Sequence, residues 1–240
     1  MNTPTIYVKD YIAQRLESAS ILFAKHATEI EKAHIWKSGE VPSEWKAPHN
    51  RLQEYVSGAV IMAVAGVEGM VNELLADSAC NFARSMPSNV PMSNVDDRIQ
   101  DRWARLWKQE VPEKGFNALR KCQIALAIAD IPPLREDQGA AQQFKLLIKL
   151  RNSLVHSEPA FTPHGSAVSQ KNRDPLEKML SGKFIPCRMV PNNSQFIWAR
   201  CLGAGCAQWA VNTTLEFSNE FYSTLGIPIT HEAISWNIEK

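Results

Sequence analysis

Between Arg51 and Ala83 apolar residues recur at helical spacing and never alternate as a half-buried strand would. A stretch this long and this apolar predicts a helix that other helices cover. Its three glycines, Gly58, Gly66 and Gly69, each cost about 1 kcal/mol of helix propensity relative to Ala. Together with Ala59, Ala63 and Ala65 they leave a small-residue surface on which a second helix comes close. Ala199, Gly203, Cys206 and Ala210 repeat such a surface late in the chain, so these two helices are expected to pack together. Glu68 is the only charge between Val56 and Val71. It either meets a cation on a neighbouring helix or reaches the helix's solvent edge.

The rest of the chain follows the same period. Tyr7 to Trp36 predicts an amphipathic helix through Tyr11, Ile12, Leu16, Ala19, Leu22, Phe23, Ile30 and Ala33. Lys37 to Asn50 holds two prolines and a glycine and predicts a loop, with His26, His34 and His49 as ordinary surface or core histidines. Met86 to Asn94 reads as a linker. Ser93 or Asn94 then caps a helix whose Trp103, Leu106 and Trp107 face the core. Gly115 to Asp130 predicts another helix, ended by Ile131-Pro132-Pro133. Ser194 to Leu225 predicts the last long one, stopped by Gly226 and Pro228. The expected fold is all-α: a single-domain bundle over residues 1–240 with five to six long helices around one core. Glu158 to Asn193 contains five prolines and only a short helical piece at Leu176–Leu180. A loop of that length is often functional or disordered. Here it is either a lid over what precedes it or a surface loop.

Charge and cysteine usage narrow the class. The formal net charge is +1 and hydrophobic residues make up 45% of the chain, which argues for a packed core and against a broadly basic nucleic-acid coat. Residues 143–190 stand apart, with 8 basic and 3 acidic residues. Cys80, Cys122, Cys187, Cys201 and Cys206 form no metal-ligand spacing, so no metal or cofactor is expected. The odd number of cysteines favours a reducing cytoplasm, and the longest apolar run, Ala59 to Val67, is short for a bilayer. No phosphate-cradling Gly loop, GxSxG or HExxH is present.

One stretch carries chemistry. From Gln142 to Pro159, QQFKLLIKLRNSLVHSEP, the residues Phe144, Leu147, Ile148, Leu154 and Val155 fall on one apolar arc at about 100° per residue. Arg151 lies inside that arc, where a core helix would carry Leu. Its guanidinium needs a partner: a carboxylate on another helix such as Glu68, a group on a second subunit, or a phosphate. Asn152 and His156 are i,i+4 neighbours at the arc's edge, beside Lys145 and Lys149. Pro159 disfavours helix at Glu158, which places His156 in or just beyond the last turn.

The run Arg151-Asn152-Ser153-Leu154-Val155-His156 resembles the Arg-x4–6-His motif of the HEPN superfamily (higher eukaryotes and prokaryotes nucleotide-binding domains). In that family a polar residue, often Asn, commonly follows the Arg near the end of a helix. AVAGVEGMVNELL, residues 63–75, is similar to the Glu- and Asn-bearing second helix of many members. The resemblance covers residues 55–80 and 140–157.

What the resemblance implies is a homodimer whose two motifs share a cleft and cut RNA without a metal ion. Such cleavage needs a base for the 2′-hydroxyl, an acid for the departing 5′-oxygen and a cation on the phosphate. His156 suits proton transfer near neutral pH and Arg151 suits a phosphate. Asn152 would orient the His or a phosphate oxygen, and Lys145 and Lys149 would bind RNA. The implied setting is a toxin or antiviral effector held by an antitoxin or other regulatory protein. The other reading is a non-catalytic module that binds nucleotide or protein, with Arg151 paired to Glu68 and His156 capping its own helix.

Overall fold

The computed structural model describes residues 12–35, 44–80, 95–109, 115–156, 175–190 and 197–228. Eight helices and no strand occur among them: α1 (Ile12–Ala33), α2 (Lys46–Ala79), α3 (Asp97–Lys108), α4 (Ala118–Ile128), α5 (Gly139–Val155), α6 (Pro175–Leu180), α7 (Ile197–Cys201) and α8 (Ala204–Thr224). Two of the eight are short: α6 matches the helical piece expected at Leu176–Leu180, and α7 is split off from the long helix expected over Ser194–Leu225. Calls that rest on Tyr7–Tyr11, Met86–Asn94, residues 158–174 and 191–193, and the chain's last dozen residues lie outside the described residues.

α2 is the axis of the fold, with α1, α3, α4, α5 and α8 all packed against it. By length and composition it is apolar enough to cross a membrane, but 56% of that apolar window is buried inside the protein. A core helix meets the same two criteria. It begins at Lys46, ahead of the Arg51 expected from sequence, so Pro48 lies in its first turn. A missing N–H does no harm there, because the first four amides of a helix have no intrahelical acceptor. The N-terminal part of α2 is also tied across the molecule. Gln53 Nε2 donates to the Trp198 carbonyl at 3.3 Å, and the buried His49 makes a long contact with the Ala199 carbonyl at 3.5 Å. Burial holds His49 below the ordinary imidazole range, against the opposing pull of Ala199 and of the Glu31 carboxylate.

The glycine surface of α2 is filled by α1. A Cβ on Gly66 would meet the backbone of Glu17 and Ala13, and one on Gly69 would lie 3.2 Å from Ala13 Cα and Cβ. A Cβ on Gly58 would press on the Phe23 ring at 2.8 Å. α8 packs on α2 as expected, yet its own Gly203 faces the backbone of Cys187. The partner of α2's small residues is therefore α1, which offers a small-residue stripe of its own: Ala13, Ser20, Ala24 and Ala27, all buried. This corrects the arc expected for α1, since Ile12 is 56% exposed and Leu22 50%. Close backbone approach selects alanine over bulk.

The predicted Ser194–Leu225 helix is broken. α7 ends at Cys201, and α8 restarts after Gly203, whose extended backbone (φ −105°, ψ 175°) is its N-cap. The break makes room for the segment before it. Gly203 and Gly205 take the backbone of Cys187 and Ile185 against them, and Cys187 N donates to the Arg200 carbonyl at 2.8 Å. Leu176, Leu180, Cys187, Met189 and Val190 are buried here. Residues 175–190 are thus part of the core, with α6 over Leu176–Leu180 where sequence placed it, and are not a loose lid.

Two caps fix the frame that carries α5. Asp96, not the expected Ser93 or Asn94, caps α3 by accepting from Arg98 N at 2.7 Å. Asn117 caps α4 by accepting from Arg120 N at 2.9 Å. The buried Gln123 amide then brackets Leu134, donating to its carbonyl at 2.8 Å and accepting its N–H at 2.9 Å. That pair of bonds ties the Pro132-Pro133 turn to α4 and sets where α5 starts. Phe144 of α5 stacks on Phe217 of α8 at 4.3 Å between ring centroids, closing the core beneath the motif.

Candidate functional site at the end of helix α5

α5 buries Ala141, Phe144, Leu146, Leu147, Ile148 and Leu150, and its 144–147–148 stripe runs on through position 151 at i+7 and i+3. Arg151 therefore sits where the buried stripe leaves the core, and it is half-buried. Leu154 is half-buried and Val155 is 46% exposed, so the apolar arc is not fully covered at its C-terminal end. His156 is the C-cap, its N–H donating to the Asn152 carbonyl at 2.8 Å, and its side chain is exposed. This is the position its sequence context predicted.

Among the described residues the guanidinium of Arg151 makes one hydrogen bond, from Nη1 to Asn152 Oδ1 at 3.1 Å. Its Nε is buried and meets no acceptor. Among the described residues no carboxylate pairs with it. Asn152, expected to orient His156 or a phosphate oxygen, accepts this bond from Arg151.

Glu68 is elsewhere. Its Oε1 accepts from Lys121 Nζ at 2.6 Å, and Asn72 Oδ1, one turn further along α2, accepts from the same ammonium at 3.2 Å. Lys121 is only 5% exposed and Glu68 36%. The expected Glu68–Arg151 ion pair is thus replaced by Glu68–Lys121. The reason is packing: α4 lies on α2 and lays a buried lysine across the face that Glu68 and Asn72 share at i,i+4. Glu68 supports the α2–α4 contact, not the α5 terminus.

The two lysines expected to bind RNA are exposed and lightly engaged. Lys145 Nζ pairs with Glu136 Oε2 at 2.7 Å, which holds the Glu136 carboxyl below the usual carboxylate range. Lys149 Nζ reaches Met179 Sδ at 3.8 Å on α6. Within one chain the α5 terminus thus brings together Arg151, Asn152 and His156, with Lys149 about half a turn upstream and Lys145 occupied by an acid.

No family model, no curated protein and no solved structure matches this chain. Its function rests on the residues themselves.

Sequence reasoning missed the most elaborate polar site among the described residues. Glu31 of α1 is 2% exposed. Its Oε2 accepts from Ala204 N, the first residue of α8, at 2.6 Å, and its Oε1 accepts from Arg188 N at 2.7 Å and Arg188 Nε at 3.4 Å. A carboxylate there is stabilised by the free amides and positive end of α8. The signal was present: Glu31 continues the 20–24–27 stripe at i+4, an acid on the small-residue face of α1. Lys121, between the buried Leu119 and Cys122, was likewise readable as a buried cation. Both sites serve the fold, and neither lies at α5's end.

Proposed function

We propose that this chain is a metal-independent endoribonuclease of HEPN type, a single helical domain that works as a homodimer with a composite site. The observation that carries this reading is Arg151: a half-buried cation whose only described partner is the neutral Asn152, at the open helix end that exposes His156. A guanidinium with no carboxylate beside it among the described residues suits an incoming anion. His156 would move the proton of the ribose 2′-hydroxyl or of the leaving 5′-oxygen, and the second copy would supply the second histidine. Lys149, and Lys145 if it leaves Glu136, would hold the RNA backbone electrostatically. The setting we infer is the cytoplasm, as a toxin or antiviral effector under the control of an antitoxin or other regulatory protein.

One observation favours a non-catalytic nucleotide-binding or protein-interaction module instead. Among the described residues nothing hydrogen-bonds the His156 ring, so no group there selects its tautomer. Cleavage assays separate the two. Purified protein with single-stranded RNA in excess EDTA is expected to leave 2′,3′-cyclic phosphate ends and to spare DNA, because the attacking group is the 2′-hydroxyl. His156→Ala is expected to lose about 10²–10⁴-fold in rate without a change in melting temperature. Equal cleavage by both proteins would remove the nuclease reading. No cleavage by either, across several RNAs, would leave the binding module standing.

A further inference from the structure

α7 is tied down through its carbonyls. A helix leaves its last four C=O groups without an intrahelical donor, and in α7 each of them, from Trp198 to Cys201, finds one elsewhere. Trp198 O accepts from Leu202 N at 3.0 Å and from Gln53 Nε2 at 3.3 Å. Cys201 O accepts from Gly203 N at 2.9 Å, and Arg200 O from Cys187 N at 2.8 Å. Ala199 O has the buried His49 ring, whose Nε2 lies 3.5 Å away. A carbonyl only accepts, so this contact needs the hydrogen on Nε2. Among these donors the imidazole alone titrates near neutral pH. Gln53 follows it at i+4, so two neighbouring side chains of α2 hold two adjacent carbonyls of α7.

We propose that His49 is a pH-sensitive latch: the neutral ring ties α7 to α2, and the charged ring turns out to water and releases α7 together with the 185–188 backbone. The surroundings of His49 suit a neutral ring. It is 4% exposed, with the Trp45 ring 5.0 Å away between centroids. It is the fourth residue of α2, where the positive end of the helix opposes a cation. Lys46, one turn before it, and Arg200 on α7 are further cations and offer no counter-charge. The Glu31 carboxylate on α1 pulls the other way, but it is already bonded to Ala204 N, Arg188 N and Arg188 Nε. The nearby Cys187 thiol, pushed up to about 12 by burial, stays neutral. Burial outweighs Ala199 O and Glu31 and keeps the latched ring below the ordinary imidazole range, whereas a solvated ring takes its proton at about pH 6.5. The latch is therefore at full strength above that pH and weakens as pH falls through the lower value of the buried ring. Its release travels from Arg200 O to Cys187 N and so to the segment that carries α6, whose Met179 lies against Lys149 of α5. None of this depends on the ribonuclease reading.

The test uses the full chain labelled with fluorotryptophan and followed by ¹⁹F NMR as the pH is lowered from about 8 to about 5, a span that brackets the imidazole range. Single Trp→Phe replacements assign the signals. Trp45 reports the ring, Trp198 reports α7, and the fully buried Trp103, bonded to Ala125 O, is the reference. In the wild type the Trp45 and Trp198 signals are expected to give way to a second set with one shared midpoint below about pH 6.5, while Trp103 stays in place. His49→Gln still offers an N–H toward Ala199 O but does not titrate. It is expected to keep both signals at their starting positions throughout. A Trp198 signal that never moves in the wild type, or that moves as much in His49→Gln, overturns the latch. A Trp45 change without a Trp198 change means that the ring titrates in place, and overturns it too. Loss of the Trp103 signal at the same midpoint would mean unfolding of the whole chain and no local device.

Discussion

At the scale of single residues, the buried polar groups divide by whether a described residue partners them. Glu31 and Lys121 are buried and fully partnered, whereas Arg151 keeps a buried Nε with nothing to donate to. Glu31→Ala is therefore expected to be costly, because it strands the buried Ala204 amide and removes the acceptor of the Arg188 amide. Each unsatisfied buried amide costs about 1–3 kcal/mol, which for a chain of this size corresponds to a melting temperature lower by roughly 2–12 °C. Arg188→Ala leaves both backbone bonds to Glu31 intact, and its side chain is 49% exposed; it should shift the melting temperature by a degree or two. Equal losses in the two variants would mean that the ion pair, not amide capture, holds the site. Much of the α5 terminus was legible in the sequence, since the spacing of Arg151, Asn152 and His156 and the downstream proline fixed their relative places. The pairing of Glu68 was not. A lone acid on an apolar helix points either to a facing cation or to the solvent edge, and only the packing of α4 on α2 brings Lys121 rather than Arg151 to it.

Helical elements were legible where periodicity was long and apolar, and misread where a backbone rather than a side chain sets the packing. The stripe of α1 was assigned to its bulky residues because hydrophobic spacing rewards size, while the contact with Gly66 and Gly69 rewards the lack of it. The same holds at Gly203 and Gly205, whose spacing looks like a helix interior but whose role is to admit the 185–187 backbone. A Cβ on Gly205 falls on the Ile185 carbonyl oxygen, a backbone atom that cannot swing away as a side chain would. Gly205→Ala is expected to push residues 183–188 off α8 while leaving the α1–α2 pair intact. Trypsin cleavage after Lys183 and Arg188 measures this directly, and it should speed up at least several-fold over the wild type. Gly115→Ala is the matched comparison: its φ is +76° but open space surrounds the added methyl, so its cost is backbone strain alone, about 1 kcal/mol. Unchanged trypsin resistance in Gly205→Ala would show that the 183–188 segment is held by Glu31 and Arg200 without the glycine contact.

At the scale of the whole molecule, the end of α5 is where the proposed second copy would dock. Val155 is 46% exposed one turn beyond Arg151, and Met179 is 38% exposed beside Lys149. A second copy docked over this end would cover the apolar rim and lower the dielectric around both guanidinium groups, which strengthens their hold on an anion. It would also complete the chemistry, since cleavage calls for a base and an acid at once and each chain brings one motif histidine. Light scattering is expected to show a dimer at tens of micromolar. Val155→Glu places a carboxylate on that rim, where it repels its symmetry mate and competes for Arg151. Because Val155 is largely solvated within its own chain, this change should leave the melting temperature of the subunit nearly unaltered while it yields monomers and removes RNA cleavage. Wild-type protein that is monomeric at these concentrations and still cuts RNA would mean that one Arg151 and one His156 suffice, and the two-chain site would have to be abandoned.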